Sequence, residues 1–88
     1  MEVLHPNCTG LDVHKETVVA CSRRMVGAKV EREVRTFKTT TSGLLDLSAW
    51  LAERGATHIV MEATGIYWRP VWAILSDGDF DLTLARPT

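Results

Sequence analysis

The sequence predicts an α/β domain: a mixed five-stranded sheet of order 3-2-1-4-5 carrying two helices. Two observations set this class, the run of three strand-like segments before any helical period and the alternation of helix and strand after it. A third observation places chemistry on it. Two apolar runs that should lie side by side each close on an acid, Asp12 and Glu62.

Thr9-Gly10-Leu11-Asp12-Val13 is a short apolar run interrupted by one acid, and Thr17-Val18-Val19-Ala20-Cys21 follows after His14-Lys15-Glu16, which reads as a hairpin. Met25 to Lys29 supplies a second turn. Val30 to Phe37 then alternates with charge on both faces, the mark of an edge strand protected against pairing with other chains. After Lys38-Thr39-Thr40-Thr41 the period becomes helical: Ser42 is the expected N-cap, Leu44, Leu47, Trp50 and Leu51 form one stripe, and Gly55 stops the helix. His58-Ile59-Val60-Met61 is the fourth strand and runs into Glu62. Thr64-Gly65 turns the chain into a second helix whose apolar positions are Trp68, Val71, Trp72 and Leu75. Pro70 is tolerated only in a first turn, so that helix should begin near Tyr67. Asp77-Gly78-Asp79 ends it, and Phe80 to Leu84 is the last strand.

Hairpin links put strand two beside strand one and strand three beside strand two. A right-handed helical crossover from strand three then returns strand four to the free edge of strand one, parallel to it. In open sheets of this kind ligands bind outside the carboxyl ends of parallel strands where the winding switches, here between strands one and four. Asp12 and Glu62 stand at those two ends. Asp77 and Asp79 precede the fifth strand and Asp81 stands at its start, so all three belong to the opposite end of the sheet.

At 88 residues the chain supports one core, so residues 1–88 are read as a single domain. Apolar residues at 45% and charged residues at 24% are ordinary globular usage and exclude a disordered or fibrous chain. No apolar run approaches the ~20 residues of a membrane-spanning helix, and Met1 to Cys8 lacks the pattern of a signal peptide, so a cytoplasmic protein without a membrane partner is expected. Cys8 and Cys21 fall in strands and read as small buried hydrophobes rather than a disulfide. The net charge of −1 conceals an asymmetry: residues 1–44 hold seven Lys/Arg against five Asp/Glu, and residues 45–88 hold three against six. A basic half can touch phosphate, and it can equally be a solvated surface.

Neighbouring strands lie ~4.8 Å apart, so Asp12 and Glu62 can share a divalent ion through oxygen ligands. Without a cation they repel, unless Lys15 or Arg69 neutralises them. Phosphodiester chemistry with two metals needs more carboxylates than this pair, which predicts further ligands beyond Thr88.

Gly10-Leu11-Asp12-Val13-His14-Lys15 and Met61-Glu62-Ala63-Thr64-Gly65-Ile66-Tyr67-Trp68 closely resemble the N-terminal signatures of the insertion sequence 110 family of transposases. Both occur in the right order and at the right separation, and the resemblance spans nearly the whole chain. It implies a RuvC-like, ribonuclease H-like domain whose Asp-Glu-Asp-Asp tetrad binds magnesium, with manganese as the substitute ion. Asp12 matches the first acid and Glu62 the second. The other two acids, and a later domain with a nucleophilic serine, would follow Thr88. The chain is therefore expected to be a C-terminally truncated, catalytically incomplete piece with its metal site empty. The resemblance further implies that the parent protein is a DNA recombinase that excises and inserts its element. Such a parent recognises donor and target DNA through a structured guide RNA and works as a homo-oligomer.

Around the acids, His14 and Lys15 in the hairpin turn are candidates for contact with a phosphate or an RNA backbone, against the plain reading of solvated turn residues. Thr64 and Gly65 are candidates for phosphate at a helix start, where amides are free, although a tight turn explains them nearly as well. Tyr67 and Arg69 are the expected exposed pair for stacking on bases, while Trp68 and Trp72 fall on the core stripe. Arg23, Arg24, Lys29, Arg32 and Arg35 could line a backbone-binding surface or simply solvate an edge.

Two other classes compete. Actin-like nucleotide-binding domains also end a first strand in Gly-x-Asp before a hairpin, but small residues should then follow the acid to cradle phosphate, and Val13, His14 and Lys15 follow here. A non-catalytic nucleic-acid-binding or assembly module is the third.

Overall fold

In the computed structural model, which describes residues 7–85, the elements run β1 (Asn7–Val13), β2 (Thr17–Val26), β3 (Lys29–Lys38), α1 (Thr41–Glu53), β4 (His58–Ala63), α2 (Trp68–Leu75) and β5 (Asp81–Ala85). The expectations placed on Met1 to Pro6 lie outside the described residues. The sheet order is β3-β2-β1-β4-β5, as expected, with β1, β4 and β5 mutually parallel and the β1-β2-β3 meander antiparallel.

Strand period two divides the sheet into unlike faces. Leu11, Val13, Val18, Ala20, Phe37, Ile59, Met61 and Ala63 point inward and are buried. They meet Leu44, Leu47, Trp50 and Leu51 from α1 and Val71 and Leu75 from α2 in one core, with Trp68 and Trp72 packed at its margin. Both helices therefore cover the same face. The handedness rule explains this: the crossovers β3-α1-β4 and β4-α2-β5 step in the same direction across the sheet, so right-handed connections deliver both helices to one side. The expected position of the acids survives, but not as a crevice between opposed helix layers. It is a site on an uncovered sheet face.

Several boundaries move, each for a local reason. The second hairpin is longer than expected: β2 continues through Ser22–Val26, paired to Lys29–Glu33, and the turn shrinks to Gly27-Ala28, with Gly27 at φ 63° in its first position. Charged residues on an edge hairpin resemble a loop in sequence. The N-cap of α1 is Thr40 rather than Ser42, because Thr40 Oγ1 accepts the Gly43 amide at 3.1 Å. The helix closes as expected at Gly55 (φ 72°), whose amide reaches the Ala52 carbonyl while that of Ala56 reaches Leu51. Pro70 is the third residue of α2, inside the first turn. Cys21 is exposed and Cys8 half-buried, both free thiols, because each falls on the uncovered face.

Arg54 fastens the helix layer to the hairpin. Its Nε donates to Ser22 Oγ at 2.8 Å, Nη1 pairs with Glu33, and the guanidinium lies over the Trp50 ring. At the other end of α1, a Cβ on Gly43 would run into the Lys38 carbonyl, so the first turn of the helix depends on glycine to approach β3. Gly43→Ala should therefore destabilise the fold by about 1–3 kcal/mol through overpacking, despite the helix preference of alanine. A denaturant midpoint equal to or above that of the unaltered chain would contradict this close approach.

Candidate metal centre

Asp12 and Glu62 occupy penultimate positions of adjacent parallel strands and are partners in register. The alternation that buries Leu11 and Val13, and Met61 and Ala63, turns both acids outward on the same face. The two strands thus set the carboxylates side by side across a single inter-strand spacing. Asp12 is 62% exposed at its side chain, so the pair is solvated rather than buried.

Two open clefts meet at this pair. One, of about 250 Å³, is lined by Asp12, Val13, His14, Glu62, Ala63 and Thr64. The other, of about 260 Å³, runs from the acids onto the uncovered sheet over Gly10, Val19, Cys21 and Val60. Gly10 leaves open space where a side chain would stand. Sequence reasoning passed over it as a site residue although it carried a signal, since a glycine inside a strand often marks a close approach.

His14 Nε2 lies 3.2 Å from Asp12 Oδ2, brought there by the tight turn in which the His14 amide donates to the Thr17 carbonyl. That turn is held from outside the site: Thr39 donates from Oγ1 to the Lys15 carbonyl and from its amide to the Glu16 carbonyl. Among the described residues neither Lys15 nor Arg69 pairs with the acids. Lys15 is exposed and Arg69 lies over the Trp68 ring at 5.8 Å. Thr64 reaches the cleft, but Thr64 and Gly65 are not at a helix start, because α2 begins at Trp68 with Tyr67 as its N-cap. Tyr67 and Arg69 are exposed, as expected, while Trp68 and Trp72 meet edge to face at 6.0 Å against the core. Asp81 is the register partner of His58, four residues before Glu62 on β4, and so stands at the far end of the sheet.

The donor set suits a hard divalent cation: two carboxylates, solvent access, and no Lys or Arg paired to either among the described residues. It is also sparse. No group of three or more His, Cys, Asp or Glu residues gathers among the described residues in a way that could hold a metal.

A family model described as Transposase matches residues 9–88. No curated protein sequence matches. Among solved structures, the chain is similar to the fowlpox virus resolvase, determined in complex with substrate Holliday junction DNA, with a TM-score of 0.64 at 8% identity over 92% of this chain and 62% of that one. It is also similar to the Aquifex aeolicus member of the Ppx/GppA family, with a TM-score of 0.53 at 10% identity over 92% of this chain and 35% of that one. The fold is ribonuclease H-like, and the chain spans less than two thirds of the length of these solved relatives.

Because the paired acids repel, Glu62→Gln should raise the thermal midpoint in chelator-treated, low-salt buffer. The gain should vanish near ~0.5 M salt, where screening falls well below 10 Å. Equal midpoints at low salt would show that the two carboxylates do not feel each other.

Proposed function

Since the chain belongs to the insertion sequence 110 family of DEDD transposases, we propose that it is the metal-binding nuclease-fold part of an enzyme that cleaves and rejoins DNA strands during transposition. The observation that carries this reading is the register of Asp12 against Glu62 on adjacent parallel strands, with both carboxylates on one open face. Asp12 and Glu62 would hold magnesium, or manganese in its place. Bound there, the ion would offset phosphodiester charge and support in-line displacement.

The chain's own residues do the rest of the positioning. Asp12 is oriented by His14, whose ring nitrogen lies within hydrogen-bond distance of Oδ2. Lys15, exposed in the same turn, would meet a phosphate beside the pair. Thr64 lines the approach on the other side, with Gly65 following it in the chain, and exposed Tyr67 and Arg69 would present a ring and a cation to unstacked bases. Donor and target DNA are the proposed partners, with a guide RNA and self-association following from family membership, in the cytoplasm. No helix of the described residues is long and apolar enough to cross a membrane.

Two carboxylates make one side of a two-metal site, so these 88 residues alone should bind the ion weakly and leave DNA uncut. Manganese titration followed by water proton relaxation should give a weak site that is lost in Asp12→Asn and in Glu62→Gln. In the complete transposase either substitution should abolish transposition while the folded state persists. Undiminished transposition by both variants would overturn the assignment.

A further inference from the structure

The hairpin of β2 and β3 carries six cations, and the structure sorts them. Arg24 is paired with Glu31 at 3.2 Å. Arg35 lies over the Phe37 ring on the helix-covered face, Lys29 flanks the turn, and Lys38 ends β3 opposite Thr17, at the far end of the hairpin from the turn. Arg23 and Arg32 remain. They are register partners on β2 and β3, and strand alternation turns both onto the uncovered face, the one that holds Asp12 and Glu62.

Like charges set directly opposite on neighbouring strands are destabilising. Among the described residues no carboxylate offsets this pair: neither arginine has an ion-pair partner there, and Arg23 Nε is buried without a hydrogen-bond acceptor. Their neighbours on the same face are Cys8, Cys21, Met25, Val30 and Val34, none of them acidic. With Cβ atoms about 4.5–5.5 Å apart, two guanidinium forks can close on one phosphate group, whose oxygens match their donors.

Arg23 pairs with Cys8, four residues before Asp12 on β1. At about 3.3 Å per residue along the strand and ~4.8 Å between strands, the arginines stand roughly 14–16 Å from Asp12, about four nucleotides at a rise of ~3.4 Å. The floor between them is uncharged, made by Gly10, Cys21, Val34 and Val60. We infer that Arg23 and Arg32 form a phosphate clamp for a nucleic-acid backbone that crosses the uncovered sheet face from the Asp12–Glu62 pair. The inference rests on the nuclease-fold reading for its ligand class. A metal at the acids reverses the local sign on one side of the track, and the arginines hold the strand on the other.

The test uses the whole chain and a fluorescent oligonucleotide duplex in EDTA, so that it does not depend on metal at the acids. Binding is followed by anisotropy across a salt series, with thermal midpoints recorded for every variant. In Arg23→Gln/Arg32→Gln the slope of log affinity against log salt should flatten by about 1, at ~0.9 for the one phosphate no longer neutralised. Arg24→Gln, which removes a cation already paired to Glu31, should leave that slope unchanged. Arg32→Glu places an acid opposite Arg23, so it should raise the thermal midpoint and weaken DNA binding at least tenfold. An unchanged slope in the folded double variant overturns the clamp. Competition by inorganic phosphate as effective, per phosphate, as by the duplex also overturns it, in favour of a free-anion site. So does loss of self-association with DNA binding intact, which would indicate an acidic segment of a second copy. Failure of the unaltered chain to bind manganese, with the arginine effect preserved, would remove the metal reading and uphold the clamp.

Discussion

The parallel pairing of β1 with β4 is the contact on which the remaining arrangement depends. It requires β3 to reach β4 by a crossover that passes over β2 and β1, and the next crossover to β5 continues in the same direction. Handedness then leaves no choice of side, and α1 and α2 settle together on one face. Leu11 and Met61, at the centre of this pairing, are buried beneath them. Every apolar side chain that the helices can cover is spent on that face. The other is left to glycine, small residues, a few exposed aliphatics and charge.

That separation organises the electrostatics. On the helix side two arginines are neutralised: Arg54 meets Glu33 and Ser22 over Trp50, and Arg24 meets Glu31 along the hairpin. On the open side, like charges are set against like at both ends, Asp12 beside Glu62 and Arg23 opposite Arg32. Neither arrangement helps the isolated fold, since close like charges cost stability. Unneutralised pairs of opposite sign at two ends of one surface are what a polyanion with bound cations would complement.

Much of this was legible in the chain because burial leaves a period. The stripe Leu44, Leu47, Trp50, Leu51 and the runs ending at Asp12 and Glu62 could be assigned from spacing, and Pro70 located the start of α2 within a residue. The long hairpin was less legible, since Arg23, Arg24, Glu31 and Arg32 look the same in an edge ladder as in a loop. The cap of α1 was ambiguous for a different reason: Thr40, Thr41 and Ser42 can all cap, and only the close approach of Gly43 to Lys38 selects Thr40. Cys21 was placed inside because its residue type favours burial, but its face has no helix over it. The acid pair itself is legible only when topology is added to sequence, since Asp12 and Glu62 are fifty residues apart until β1 and β4 align.

The two acids also police how the chain folds. Each is flanked on both sides by residues that are nearly or fully buried: Leu11 and Val13 around Asp12, Met61 and Ala63 around Glu62. A slip of one position in either strand would exchange the faces, driving a carboxylate into the core and two apolar side chains into water. Sliding by two would restore the faces but strip partners from both strand ends. A chain that has reached its stable state has therefore already brought its two acids abreast, and misregistered copies are rejected by the same burial that holds the fold together.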